Sequence, residues 1–328
     1  GSRPRSKRAP WLPVLVIPLF LLAAWYLQQV PLDPDDIAPL QTATRLASWG
    51  LLLLLAPWPF HGPALSLSEE APPLVGAWLL TVLAAAAITL LQGFLTQFEQ
   101  IQGAGLLPGL PAVRLPELLI WGGLIGALWA GLAAAVQQDL RRLWGYSAVF
   151  SYSAVLISLG LGARSSWGLV WLLLMTRTAA LLASGFGLAI ICQRAGGGTD
   201  HTSVQGLGAR LPWASAAYLL GGLSMAGLPL TAGFASQWAL VQTMGNQDWL
   251  QAVILLFGAL GLIAGFVRSQ RVLFGQLDNL LLEREERLMV ALAVLSIVGL
   301  ILPALWPQVW RGLLTAAVAA FSARPVAP

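Results

Sequence analysis

Long apolar runs constrain this chain more than any motif does. Stretches able to cross a bilayer, about 17 to 25 residues each, can be read at 11–30, 39–57, 74–94, 115–136, 143–163, 166–192, 213–243, 248–269 and 288–306. In lipid every backbone polar group must be paired within the segment, so such runs predict helices. Only 10% of the 328 residues are charged and the mean hydropathy is +0.75, far from a soluble domain with about 25% charged residues. The expected fold is an all-α polytopic membrane protein of about nine transmembrane helices, with no loop long enough for a soluble catalytic domain. The run 213–243 is too long for one straight helix. The stretch 309–322 is too short to cross and is expected to lie along the surface.

Cys192 is the one cysteine, which excludes an internal disulfide or a thiolate metal cluster. Arg3, Arg5, Lys7 and Arg8 precede the first apolar run, whose length and lack of a small-residue cleavage pattern suit an uncleaved helix better than a signal peptide. If that basic N-terminus is cytoplasmic and nine helices alternate, the inner segments hold Arg3, Arg5, Lys7, Arg8, Arg141, Arg142, Arg194, Arg210, Arg268, Arg271, Arg284 and Arg287. The outer ones hold Arg45, Arg114, Arg164, Arg311 and Arg324. That asymmetry fits the positive-inside rule, so the basic residues report orientation before any nucleic-acid partner. Trp11, Trp58, Trp144, Trp167, Trp213, Trp249, Trp306 and Trp310 fall at span ends, where indoles anchor in the headgroup layer. The loops at 95–114, 193–212 and 270–287 show no strand pattern.

Pro57 and Pro59 end the second span, and Pro229 interrupts the seventh after Gly222, Gly227 and Leu228. Proline breaks the backbone ladder, and interrupted helices in matching halves of transporters mark where ions are handled. Prolines and glycines also occur in membrane helices for packing alone.

Four segments in order resemble the proton-translocating, antiporter-like membrane subunits of respiratory complex I, its photosynthetic relatives and the Mrp cation/proton antiporters. Pro59-Phe60-His61-Gly62 followed by Ser68-Glu69-Glu70-Ala71-Pro72-Pro73 is similar to the family's "PFH…SEAP" stretch. Gln138-Asp139-Leu140-Arg141-Arg142-Leu143 with Tyr146-Ser147 resembles "DLKRLLAYS". Gly206 to Pro212 is similar to "LGGLARRMP", and Ser224 to Phe234 to "SLAGLPPLAGF", the second broken helix. On this matching the nine spans correspond to the last nine of fourteen. The family's first five helices, with their membrane glutamate, have no counterpart.

The resemblance also implies membrane lysines, since a desolvated ammonium can exchange a proton near neutral pH. The chain's one lysine is Lys7. Residue-by-residue matching puts Leu54 in the slot of the first broken helix, Ala179 in that of "HALFKALL" and Gln237 in that of "GFWSKW". The acids lie in loops or at span edges, and Arg177 is the one charge near the middle of a span. Arginine stays protonated and makes a poor relay.

Each candidate carries a functional and a plain reading. Arg177 is either a clamp for an anion or a partner's carboxylate, or a structural or snorkelling residue. His61 is either a terminal proton carrier or a capping histidine. The stripe Tyr146, Ser147, Ser151, Tyr152 and Ser153 holds water or bonds neighbouring helices. Asp139 with Arg141 and Arg142 reads as an ion pair at the inner surface. Asp200-His201 lacks a third metal ligand and reads as a polar loop, and Gly196 to Gly198 follow no strand, which argues against a phosphate loop.

The ion-path or coupling candidates are therefore Arg177, His61, Gln237, Pro229, Tyr146 and Ser147, with no catalytic residue, metal site or redox cofactor expected. Three parts are expected: a basic N-terminus with the first helix at 1–38, an antiporter-like core at 39–270, and a loop, last helix and interfacial segment at 271–328. The reading is a multi-pass membrane subunit of a complex I-like or Mrp-like assembly. Its partners are other membrane subunits and the bilayer, and its own proton path is degenerate. Any enzyme activity belongs to an NAD(P)H- or ferredoxin-quinone oxidoreductase around it. Two rivals stay open: proton or sodium translocation completed by partner subunits, and an unrelated small-solute transporter with a pocket around Arg177.

Overall fold

A computed structural model describes residues 16–29, 38–55, 59–103, 115–162, 167–275 and 286–306, with residue 312. Its elements are helical. In chain order they are α1 (Val16–Gln29), α2 (Ala38–Leu55), α3 (Gly62–Glu70), α4 (Pro73–Gly103), α5 (Leu115–Val136), α6 (Leu140–Gly162) and α7 (Trp167–Arg194). There follow α8 (His201–Val204), α9 (Leu207–Arg210), α10 (Pro212–Ala226), α11 (Ala232–Gly245), α12 (Trp249–Leu273) and α13 (Arg287–Leu305).

Six of these, α4, α5, α6, α7, α12 and α13, contain stretches long and apolar enough to cross a membrane. The expected first span is seen as the fourteen residues of α1 and the second as α2. The seventh is two short helices, α10 and α11. The basic segment 1–15 and all but one residue of 309–322 lie outside the described residues. Two expected loops are corrected. The stretch 95–103 continues α4, because its Leu, Gln and Glu residues are good helix formers and carry the helix on without an apolar run. The stretch 193–212 folds into α8 and α9.

α6 is the central helix, with 94% of its spanning stretch buried, whereas α13 has 17%. A helix covered on all sides is apolar all round, and the serines of α6 fit this rule because they bond inside the protein. α2 shows the contrasting pattern, with Ala43, Ala47, Leu51 and Leu55 forming one buried stripe at four-residue spacing. Without a hydrophobic drive between helices in lipid, close packing of small residues holds the bundle. Along α5 and α12, a Cβ on Gly258 would lie 2.6 Å from the Ala127 carbonyl oxygen, and one on Gly265 would lie 2.5 Å from that of Ala134. Gly221 of α10 meets Ala180 O and Ser184 N of α7 in the same way, at 2.7 Å. Phenol groups pin two helices to α6: Tyr152 of α6 donates to Leu80 O of α4 (2.6 Å), and Tyr218 of α10 donates to Leu140 O at the start of α6 (3.0 Å).

Candidate functional site

The second break is built by α10, α11 and the turn between them. Gly227 takes φ +83, and its N–H bonds Ser224 O while that of Leu228 bonds Leu223 O. This Schellman ending satisfies two of the carbonyls that a helix leaves open. The next, Met225 O, would find its helical donor four residues on. That residue is Pro229, which has no N–H. Leu230 follows at φ +72, a strained conformation for a branched residue. Gly233 N then donates to Ser224 Oγ (3.1 Å), and a Cβ at Gly227 would press on the Gln237 side chain at 2.7 Å. The two half-helices therefore pack directly against each other.

Arg177 of α7 enters this gap and is 2% exposed. Its guanidinium donates to Met225 O and to Gln237 Oε1, with a long contact of 3.5 Å to Ser151 Oγ on α6. Phe150 offers its ring face 5.6 Å from the guanidinium carbon. Thr176 and Ser236 bond each other across α7 and α11 (2.8 Å). The guanidinium thus supplies the donor that Pro229 withholds, at a helix C-terminus whose dipole favours a cation. Among the described residues, Arg177 Nε and Gln237 Nε2 have no hydrogen-bond partner.

The lysine slots are refined by this geometry. Ala179 lines an apolar groove of about 330 Å³ with Leu182, Phe186, Leu292 and Leu295, on the outer side of α7. Arg177, two residues or about 200° earlier on the helix, is the position that points inward to Gln237. Leu54 is partly buried against the core. Pro229 is exposed at the turn.

Sequence candidates divide into two groups. Arg177, Gln237 and Pro229 meet at the second break, and Ser147 lies one turn along α6 from it, accepting from Ser151 Oγ (2.9 Å). His61 and Tyr146 meet elsewhere: His61 precedes α3 as its N-cap, 6.1 Å from the Tyr146 ring and 6.3 Å from Trp129. In the polar stripe, Ser147, Ser151 and Ser153 bond their own helix, and Tyr152 reaches a neighbour. Trp144, expected as an interfacial anchor, is instead fully buried and donates to Ser184 Oγ (2.9 Å). Trp213, Trp249 and Trp306 are exposed at helix ends.

The expected ion pair takes another form. Asp139 Oδ1 accepts the main-chain N–H groups of Arg141 and Arg142 (2.8 and 3.1 Å), and Oδ2 accepts from Thr199 Oγ1 (2.8 Å). A carboxylate at a helix start caps before it pairs. Arg142 pairs instead with Glu69 (2.8 Å), with both side chains largely exposed, a contact worth about 0–1 kcal/mol. Arg141 donates to Glu69 O and Ala71 O. These residues line a polar cleft of about 710 Å³ that Glu70 and Asp200 also border.

Beside the cleft, Leu140 N bonds Thr199 O, His201 N bonds Gln138 O, Gly206 N bonds Val272 O, and Arg268 donates to Gln137 O. His201 also faces Ser269 Oγ (3.5 Å). Burial first, and then Arg268, lower its pKa from 6.5, against the weaker pull of Asp139 and Asp200. Because the folded chain disfavours the imidazolium, its contribution is complete above about pH 6.5 and shrinks as the pH falls below that value. Thermal midpoints of wild type and His201→Gln are thus expected to converge between about pH 7.5 and pH 5.5. Parallel curves would exclude His201 as the titrating group.

A family model described as "NADH:quinone oxidoreductase/Mrp antiporter, TM" matches residues 41–263, more than half of the chain. Subunit N of the NADH-quinone oxidoreductase of Deinococcus radiodurans is 30% identical over 299 residues, 87% of this chain and 57% of that one. The chain spans about half the length of the curated relatives it matches. A chain of the archaeal membrane-bound sulfane sulfur reductase superimposes with a TM-score of 0.77 at 18% identity, over 94% of this chain and 63% of that one. One from Thermus thermophilus respiratory complex I does so with a TM-score of 0.70 at 20% identity, over 91% and 66%. At these identities the structures speak for the fold, while the family match covers most of α2 and all of the proline-broken α10–α11 pair. The chain belongs to the NADH:quinone oxidoreductase/Mrp antiporter transmembrane family.

Proposed function

We propose that this chain is a structural and coupling subunit in the membrane arm of a complex I-like or Mrp-like assembly, with its own proton path closed. One observation carries the reading: the inward position on α7 and the position facing it on α11 hold Arg177 and Gln237, bonded to each other. Neither exchanges a proton near neutral pH. The N-terminus is cytoplasmic in this proposal, on the strength of the basic asymmetry. Nine crossings arise if α1, α2 and the α10–α11 pair each cross once. The segments 1–38, 39–270 and 271–328 then serve as entry helix, core and closing helix. No catalytic site is assigned to the chain; redox chemistry would lie in other subunits. Family membership sets aside the unrelated transporter.

The retained break between α10 and α11 favours a second reading, in which partner subunits complete a proton or sodium path. Reconstitution separates the two. The chain alone in liposomes should leave a pH gradient as stable as empty liposomes do, and affinity purification from its host should bring down other antiporter-like subunits. Proton flux well above empty liposomes would overturn the closed path, and recovery as a homogeneous self-assembly would overturn the subunit role.

A further inference from the structure

We infer that the second break is a cation-binding cradle that the chain fills with its own guanidinium. Met225 O from α10, Gln237 Oε1 from α11 and Ser151 Oγ from α6 converge on Arg177. Each offers oxygen for a separate reason. Met225 O lacks a helical donor because residue 229 is proline. Gln237 must present its amide oxygen, because a guanidinium has donors and no acceptor. Ser151 gives its proton to Ser147 O (2.9 Å), which leaves lone pairs toward Arg177. The Phe150 ring closes the set as a π face.

Three oxygens and an aromatic face, brought together from separate elements, match a planar cation with several N–H groups. Their ligand class is a guanidinium, and the Arg177 side chain is a tethered occupant. The dipole at the end of α10 adds attraction for positive charge. Tethering gives occupancy that no dilution can reverse, and a permanently filled cradle cannot take up and release a mobile cation. This deepens the closed-path reading and rests on it only for that consequence. Occupancy of the cradle is read in the isolated chain, while the closed path is read as flux, so either can fail alone.

The test is chemical rescue. Arg177→Ala, solubilised and purified with guanidinium chloride at about 10 mM throughout, is expected to regain most of its lost thermal midpoint by mass action. Sodium chloride at the same concentration should restore nothing, and neither salt should move wild type. Equal effects of the two salts, or none from guanidinium, would overturn the cradle. Should Arg177→Ala fail to fold under both conditions, Gln237→Glu decides. A carboxylate in that place makes the bond to Arg177 charge-assisted, so the midpoint should rise, and an unchanged or lower midpoint would overturn the proposal.

Discussion

Gly131→Leu should leave almost no monodisperse protein after detergent extraction. A Cβ at this position would run into the backbone of Gly258, whose own Cβ would in turn meet Ala127 O at 2.6 Å. Ordinary overpacking costs about 1–3 kcal/mol because side chains can move aside. Here the obstacle is main chain on both sides, so α5 and α12 would have to separate along the seam. Gly299→Ala is the matching control, since an added Cβ there meets nothing within 4 Å. Size-exclusion profiles of fluorescently tagged variants read the outcome. A normal Gly131→Leu peak would mean that α5 and α12 are not packed at backbone contact.

Trp144→Ala is expected to cost about 3–5 kcal/mol, the range for emptying a buried aromatic site. The indole lies against Gly76 of α4 and Gly185 of α7, where a Cβ added at either glycine would stand 3.4 Å from the ring, and it bonds Ser184. Trp249, 71% exposed at the start of α12, should tolerate alanine within about 0.5 kcal/mol. Trp144→Phe keeps most of the volume and loses one hydrogen bond, about 1 kcal/mol. Thermal midpoints for the three variants give the ranking. An equal response at 144 and 249 would return Trp144 to the role of interfacial anchor.

These two positions show what the sequence could and could not say. Trp144 and Trp249 both stand at the end of an apolar run, and one-dimensional position cannot tell a ring facing lipid from a ring between two glycines. Helix phase is lost in the same way. Ala179 and Arg177 sit two residues apart in one motif, and only the packing of α7 shows which faces Gln237 and which faces the outer groove. The break itself was legible, because Gly227 and Pro229 act through the local backbone. So was a clue to the Arg177 contact: a proline four residues after Met225 announces an unfilled carbonyl. The partner that fills it lies 48 residues earlier, beyond any local rule. Asp139 beside two arginines suggested a pair, but the backbone N–H groups were closer than either guanidinium.

The hydrogen bonds around His201 join three connections far apart in sequence: the α5–α6 turn, the segment after α7 and the end of α12. Groups held in one such network do not contribute independently. Loosening the end of α12 at Arg268 also releases the turn at Gln137, and with it the footing of Thr199 on Asp139. Substitutions at these three places therefore have non-additive energies. The first one made bears most of the cost, and the later ones act on a corner already let go.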